Sequence, residues 1–229
     1  MAHDLAEVFY KTRRVAAVYW DAPKGCASFR YDPDFVESGR QLAPIKMPPN
    51  NRTYQFPRLD ESFQGLPGLL ADCLPDTFGN ALIDQWLRSQ GRSPSDFNPV
   101  ERLCYMGKRS MGALEFKPAL ASKNPESEPI EIDRLVSLAS QALAIKEGLE
   151  THFDDSDGLQ QILQVGTSAG GARAKAVIAW NKETGEVRSG QSDCPAGFSH
   201  WLLKFDGVDS SFEGVRDPKG YGRIEYAYH

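Results

Sequence analysis

Apolar and polar positions change period along this chain, and the changes mark its elements. Val15-Ala16-Ala17-Val18-Tyr19-Trp20 is a short apolar run of strand type, and Cys26-Ala27-Ser28-Phe29-Arg30-Tyr31 alternates as a returning strand. Between them Asp21-Ala22-Pro23-Lys24-Gly25 supplies turn chemistry, so residues 6–31 are predicted to form a β-meander. Asp32-Pro33 opens a short turn or helix, and Ala43–Pro49 is predicted to be extended because Pro44, Pro48 and Pro49 bar helix. The period then becomes helical over residues 65–91. Leu69, Leu70, Cys73 and Leu74 form a first stripe, Pro75-Asp76 resets the chain, and Asp76 is placed to cap a second helix. That helix carries Phe78, Leu82, Ile83, Trp86 and Leu87 on its apolar face and ends at Gly91. Asn98-Pro99 starts another, with Val100, Leu103 and Cys104 inward. Gly107-Lys108-Arg109-Ser110-Met111-Gly112 follows, either a surface turn or an anion loop, before the strand Ala113–Phe116.

Residues 118–129 are polar, contain three prolines and read as a linker, so the predicted domains are 1–120 and 130–229. Ile132, Leu135, Val136, Leu138, Ala139, Ala142 and Leu143 mark a helix. Asp154-Asp155-Ser156-Asp157 lacks the remaining ligands of a calcium loop and suits a cap for a helix Gly158–Gln164. After Val165 come six small residues, Gly166-Thr167-Ser168-Ala169-Gly170-Gly171, and then a strand, Ala174–Trp180. Asn181–Gly185 is a hairpin turn, Glu186–Ser189 pairs back, and His200–Phe205 is a third strand with Lys204 near its end. Arg223–His229 has the pattern of the first turns of a helix. The fold class is therefore α+β.

Composition narrows the function. With 229 residues, 41% hydrophobic and 25% charged, the chain is globular in type, and its net charge of −5 argues against a dedicated nucleic-acid binder. Cys26, Cys73, Cys104 and Cys194 form no CxxC pair and read as free thiols of a reducing cytoplasm. The histidines show no metal-ligand spacing, and no metal site is expected. The N-terminus has no signal-peptide pattern, and no apolar run approaches a membrane span.

The chemistry concentrates in residues 165–180. Small residues let backbone N–H groups converge on an anion, with Arg173 and Lys175 close behind. A phosphate loop and a structural glycine turn both remain open on this ground alone. The Walker A string is absent, since Lys175 is misplaced and no Ser or Thr follows it; GxGxxG is absent too. Gly166-Thr167-Ser168-Ala169-Gly170 matches GxSxG, but a strand rather than a helix follows it. A glycine loop, a strand, a hairpin, a strand bearing Lys204 and a helix bearing Glu225 follow the order of a protein-kinase nucleotide lobe.

These residues resemble the HipA-type serine/threonine kinase toxins of bacterial toxin–antitoxin systems. Ser168–Lys175 resembles that family's glycine-rich loop, and His200–Phe205 its lysine strand. Ser28–Pro33, Gly65–Asp76 and Met106–Leu114 resemble its N-terminal subdomain. The resemblance implies a small β-meander and helix subdomain followed by a kinase-like nucleotide-binding N-lobe. It implies Ser168 as an inactivating autophosphorylation site, and Ala169, Gly170, Gly171, Ala172, Arg173, Ala174, Lys175 and Lys204 as ATP contacts. Glu225 is a positional guess for the partner of Lys204. It further implies ATP and Mg2+ as cofactors, a protein substrate of aminoacyl-tRNA synthetase type, and a helix-turn-helix, HipB-like antitoxin through which DNA is met only indirectly. The family's catalytic and magnesium-binding aspartates belong to a helical C-terminal lobe that the 229 residues do not reach. The expectation is an N-terminal portion of such a kinase, inactive alone, with no catalytic residue and no metal ligand of its own, and with apolar surface exposed behind the three strands. The alternative is a non-catalytic binding module or split-system subunit that docks on an antitoxin or a separate catalytic chain.

Overall fold

The computed structural model describes residues 4–110, 112–118, 129–146, 162–163, 173–191, 194–209 and 220–228. The predicted linker, the acidic cluster Asp154–Asp157 with the helix placed after it, and the small-residue stretch Ser168–Ala172 lie wholly or almost wholly outside the described residues. The chain divides into two compact units, Met1–Leu74 with Ser95–Lys123, and Pro75–Pro94 with Asn124–His229.

The first unit is built on five antiparallel strands in the order β4-β3-β2-β1-β5: β1 (Leu5–Tyr10), β2 (Arg13–Asp21), β3 (Cys26–Tyr31), β4 (Thr53–Gln55) and β5 (Leu114–Lys117). The first four follow the chain as a meander, and β5 returns to close the β1 edge. The alternation read from the sequence is the alternation of burial: Ala6, Val8, Val18, Ala27 and Phe29 are fully buried, and Tyr31 almost so. Among the described residues three α-helices belong to this unit: α1 (Pro33–Glu37), α2 (Gly68–Ala71) and, after α3 (Thr77–Ser89) of the second unit, α4 (Pro99–Met106). Helix α4 begins with a reciprocal cap, the Glu101 N–H donating to Asn98 Oδ1 at 3.0 Å and the Asn98 N–H to Glu101 Oε2 at 3.1 Å. Its Val100, Leu103 and Cys104 are fully buried in the core cluster, as the helical spacing requires.

One expectation changes here. Ala43–Pro49 is not a plain extended segment; residues 43 and 47 form an isolated bridge, with the Met47 N–H donating to Ala43 O at 2.9 Å. Pro44 supplies the fixed φ of a turn's second position, so a proline that excludes helix also favours a tight reversal. The buried Tyr31 hydroxyl locks the turn by donating to Met47 O at 2.8 Å.

The second unit carries α3 (Thr77–Ser89), α5 (Ile132–Lys146), and three antiparallel strands in the order β7-β6-β8: β6 (Arg173–Trp180), β7 (Val187–Ser189) and β8 (Ser199–Asp209). A last helix, α6 (Tyr221–Tyr228), packs on β8. Helix α3 lies within the first predicted domain by sequence but groups with the second unit in space. Asp76 caps it as expected, Oδ1 accepting the Gly79 N–H at 2.8 Å. Leu82, Ile83 and Leu87 are fully buried on its inner face, whereas Trp86 is only half-buried and the polar Gln85 is buried. The predicted hairpin turn closes through Asn181, whose Oδ1 accepts the N–H groups of Glu183 (2.9 Å) and Thr184 (3.2 Å). Trp201 and Leu202 of β8 stay 41% and 48% exposed, so apolar side chains do remain on the surface of this sheet.

Candidate functional site

The second unit brings four sequence-distant charges to one three-stranded sheet. On β8, Lys204 stands directly across from Lys175 of β6. Opposed residues of antiparallel strands project from the same face, so two ammonium groups share that face. Like charges so placed repel, and each has a carboxylate from a helix. Lys204 Nζ is ion-paired with Glu225 of α6, the side chains being 44% and 31% exposed. Lys175 Nζ lies 3.8 Å from Asp76 Oδ2 at the cap of α3, and both side chains are only 6% exposed.

The two pairs differ in physical character. The Lys204–Glu225 pair is wet, and such pairs contribute about 0–1 kcal/mol to stability, so its carboxylate can be exchanged for another anion at small cost. The Lys175–Asp76 pair is dry; a buried charge deprived of its counter-ion costs about 3–5 kcal/mol, so this pair is a fixed feature.

Of the residues expected at the site, Lys204, Lys175 and Glu225 come to the same sheet or the helix packed on it. Arg173 and Ala174 form the start of β6, with Arg173 opposite Asp209 in register. Ser168, Ala169, Gly170, Gly171 and Ala172 lie outside the described residues. Asp76 was legible from sequence only as a helix cap, because no periodicity links a cap to a strand far downstream.

The basic loop before β5 is tied into its own unit. Arg109 Nη2 donates to Tyr105 O at 2.6 Å and its guanidinium lies 4.8 Å from the Tyr105 ring centre, while the buried Ser110 hydroxyl donates to Leu114 O at 2.7 Å. A pocket of about 500 Å3 in the first unit is walled mainly by apolar side chains, among them Ile45, Met47, Phe56, Phe63 and Leu69, and is not suited to a polyphosphate. Among the described residues no group of three or more His, Cys, Asp or Glu could hold a metal ion, and no helix is long and apolar enough to cross a membrane.

All four cysteines are free thiols, with Cys26, Cys73 and Cys104 buried and Cys194 half-exposed. Burial pushes the Cys73 thiol up from its ordinary 9.0 to about 11, with the Asp72 charge adding to it. Burial takes Cys104 from 9.0 to about 12, helped by Glu101. Both thiols keep their protons in the folded state when an unfolded chain would lose them. Their contribution to stability is therefore full below about pH 9 and is lost as pH rises toward 11–12. Chemical denaturation repeated across that window should show a falling midpoint, and a flat midpoint would contradict the burial. Native alkylation followed by peptide mass spectrometry should label Cys194 first, with Cys73 and Cys104 reacting only after unfolding.

A meander closed by a returning fifth strand, with a capped helix across it, is the architecture of the first unit, and a lysine-bearing three-stranded sheet that of the second. Residues 6–117 match the family model described as the HipA N-terminal domain. This chain carries a HipA N-terminal domain, and the matched residues contain the whole sheet of its first unit apart from Leu5. A search of curated proteins found no match.

Proposed function

We propose that the second unit is the ATP-side portion of a HipA-like serine/threonine kinase. What supports this is one arrangement: Lys204 on a sheet strand, ion-paired with Glu225 on the helix packed against it, with Lys175 opposite on the neighbouring strand. In protein kinases a strand lysine and a helix glutamate pair in this way to hold the α- and β-phosphates. Here Lys204 exchanges the exposed Glu225 carboxylate for phosphate oxygens, or shares itself between them. Ser168–Ala172 supplies backbone N–H groups around the phosphates, and Ser168 is the inactivating phosphorylation site, where an added dianion crowds the loop. The described residues fit a polyphosphate through their ammonium groups. They do not offer a magnesium cage, so Mg2+ arrives with the nucleotide or is held by residues outside them.

On this reading the second unit binds ATP, and the resemblance places the kinase's catalytic base and metal ligands in a helical C-terminal lobe. The whole kinase phosphorylates Ser or Thr of a protein substrate, of aminoacyl-tRNA synthetase type, in the cytoplasm. A HipB-like helix-turn-helix antitoxin restrains it and provides its only link to DNA.

Titration calorimetry of the 229-residue chain with ATP should show saturable binding. Lys204→Met should weaken it at least about tenfold, while the melting temperature changes little, because the pair it breaks is exposed. Wild-type protein that binds no ATP at millimolar concentration would sink the proposal.

A further inference from the structure

We infer that Asp76 is a positioning residue of the nucleotide face: its buried carboxylate fixes Lys175 across from Lys204, and so sets the affinity of the site for polyphosphate. The inference rests on the ATP-site reading above.

Asp76 does two things at once. One carboxylate oxygen, Oδ1, accepts the Gly79 N–H at 2.8 Å and so anchors the carboxylate at the start of α3. The other, Oδ2, faces Lys175 Nζ at 3.8 Å. Both side chains are 6% exposed, so Lys175 is held in a dry setting by a counter-ion whose own position a helix cap fixes. Directly across the sheet, Lys204 is 44% exposed and pairs with the exposed Glu225. The two lysines thus divide the work. Lys204 is the one that exchanges partners with an incoming phosphate. Lys175 is the fixed positive charge on the neighbouring strand, held against the Asp76 carboxylate. A buried cation whose counter-ion is weakened is drawn toward water, away from the site face.

Asparagine caps a helix as well as aspartate does, so Asp76→Asn removes the charge and keeps the cap. The test is a double-mutant cycle on the full chain with ATP as ligand: wild type, Asp76→Asn, Lys175→Met and the double variant, at a temperature where all are folded. Asp76→Asn and Lys175→Met should each weaken ATP binding about tenfold, and the double variant no further than Lys175→Met alone. A residue acting only as a helix cap would leave the affinity of Asp76→Asn unchanged, and that result overturns the inference while the ATP-site reading stands. Tighter binding by Asp76→Asn also overturns it, since Asp76 would then be a restraint on the site.

Two further outcomes are informative. If Asp76→Asn does not fold but the double variant does, the rescue shows that Asp76 acts through Lys175. If Lys175→Met folds and the double variant does not, Asp76 serves the helix alone and the inference is wrong. If wild type binds no ATP, the function proposal fails, and the positioning claim is decided by amine acetylation with mass-spectrometric readout. Lys175 should then be protected in wild type and acetylated several-fold faster in Asp76→Asn, with Lys204 unchanged; equal Lys175 rates overturn it.

Discussion

Replacing Gly65 with alanine should destabilise the first unit by about 3 kcal/mol or more. Gly65 sits at φ +73°, in the left-handed region that costs a residue with a Cβ about 1–2 kcal/mol. The larger effect is steric. A Cβ at this position would overlap the carbonyl oxygen of Gly25 and come within 3.0 Å of the Trp20 ring. Neither backbone can give way cheaply. The Gly65 carbonyl accepts the Ala27 N–H at 2.8 Å, and the turn at Gly25 is closed by its N–H to Ala22 O at 3.1 Å, between β2 and β3. The glycine thus lets the segment before α2 lie directly against the β2–β3 turn. A denaturation midpoint for Gly65→Ala equivalent to less than about 0.5 kcal/mol of change would show that this approach is absent.

Phe29→Ala should cost about 3–5 kcal/mol, the range for a fully buried aromatic whose cavity cannot collapse. Phe29 is 0% exposed at the centre of β3, paired in register with Val18 on one side and Tyr54 on the other. Its ring meets Tyr31 edge to face with centres 4.9 Å apart, and Tyr31 in turn stacks on Phe35 at 5.7 Å. Removal of Phe29 takes one ring from this aromatic row and leaves a cavity in the core cluster it shares with Val8, Val18 and Leu103. A small domain has about 5–15 kcal/mol in total, so a substantial share of the stability of the first unit is at stake. Equilibrium unfolding in urea should show an unchanged slope and a much lower midpoint. A loss below about 1 kcal/mol would mean that the aromatic row is not the core.

The meander, the capped helices and the hairpin were legible in the sequence because each depends on neighbours along the chain. Alternation of apolar residues chose the inward face of β3, Asn98-Pro99 fixed the start of α4, and Asn181–Gly185 fixed the turn before β7. At Ala43–Pro49 proline's fixed φ suits both an extended chain and a turn, so the sequence does not separate the two; the contact of Tyr31 with Met47, from a distant strand, accompanies the turn. At the candidate site the ordering of lysine strand and glutamate helix was readable, and Lys204 does meet Glu225.

What the sequence determined by itself, then, is local: where strands and helices begin, which faces are apolar, and which residue types a phosphate site would use. The tertiary structure decided the pairings. It put Lys175 across from Lys204 through the register of β6 and β8, and assigned α3, with Asp76 at its cap, to the same unit as that sheet. Register and packing depend on contacts between residues far apart in the chain, and these carry no signature in the spacing of residues near one another. Charge compensation on the sheet face is therefore a property of the fold, although every residue that makes it was already visible in the sequence.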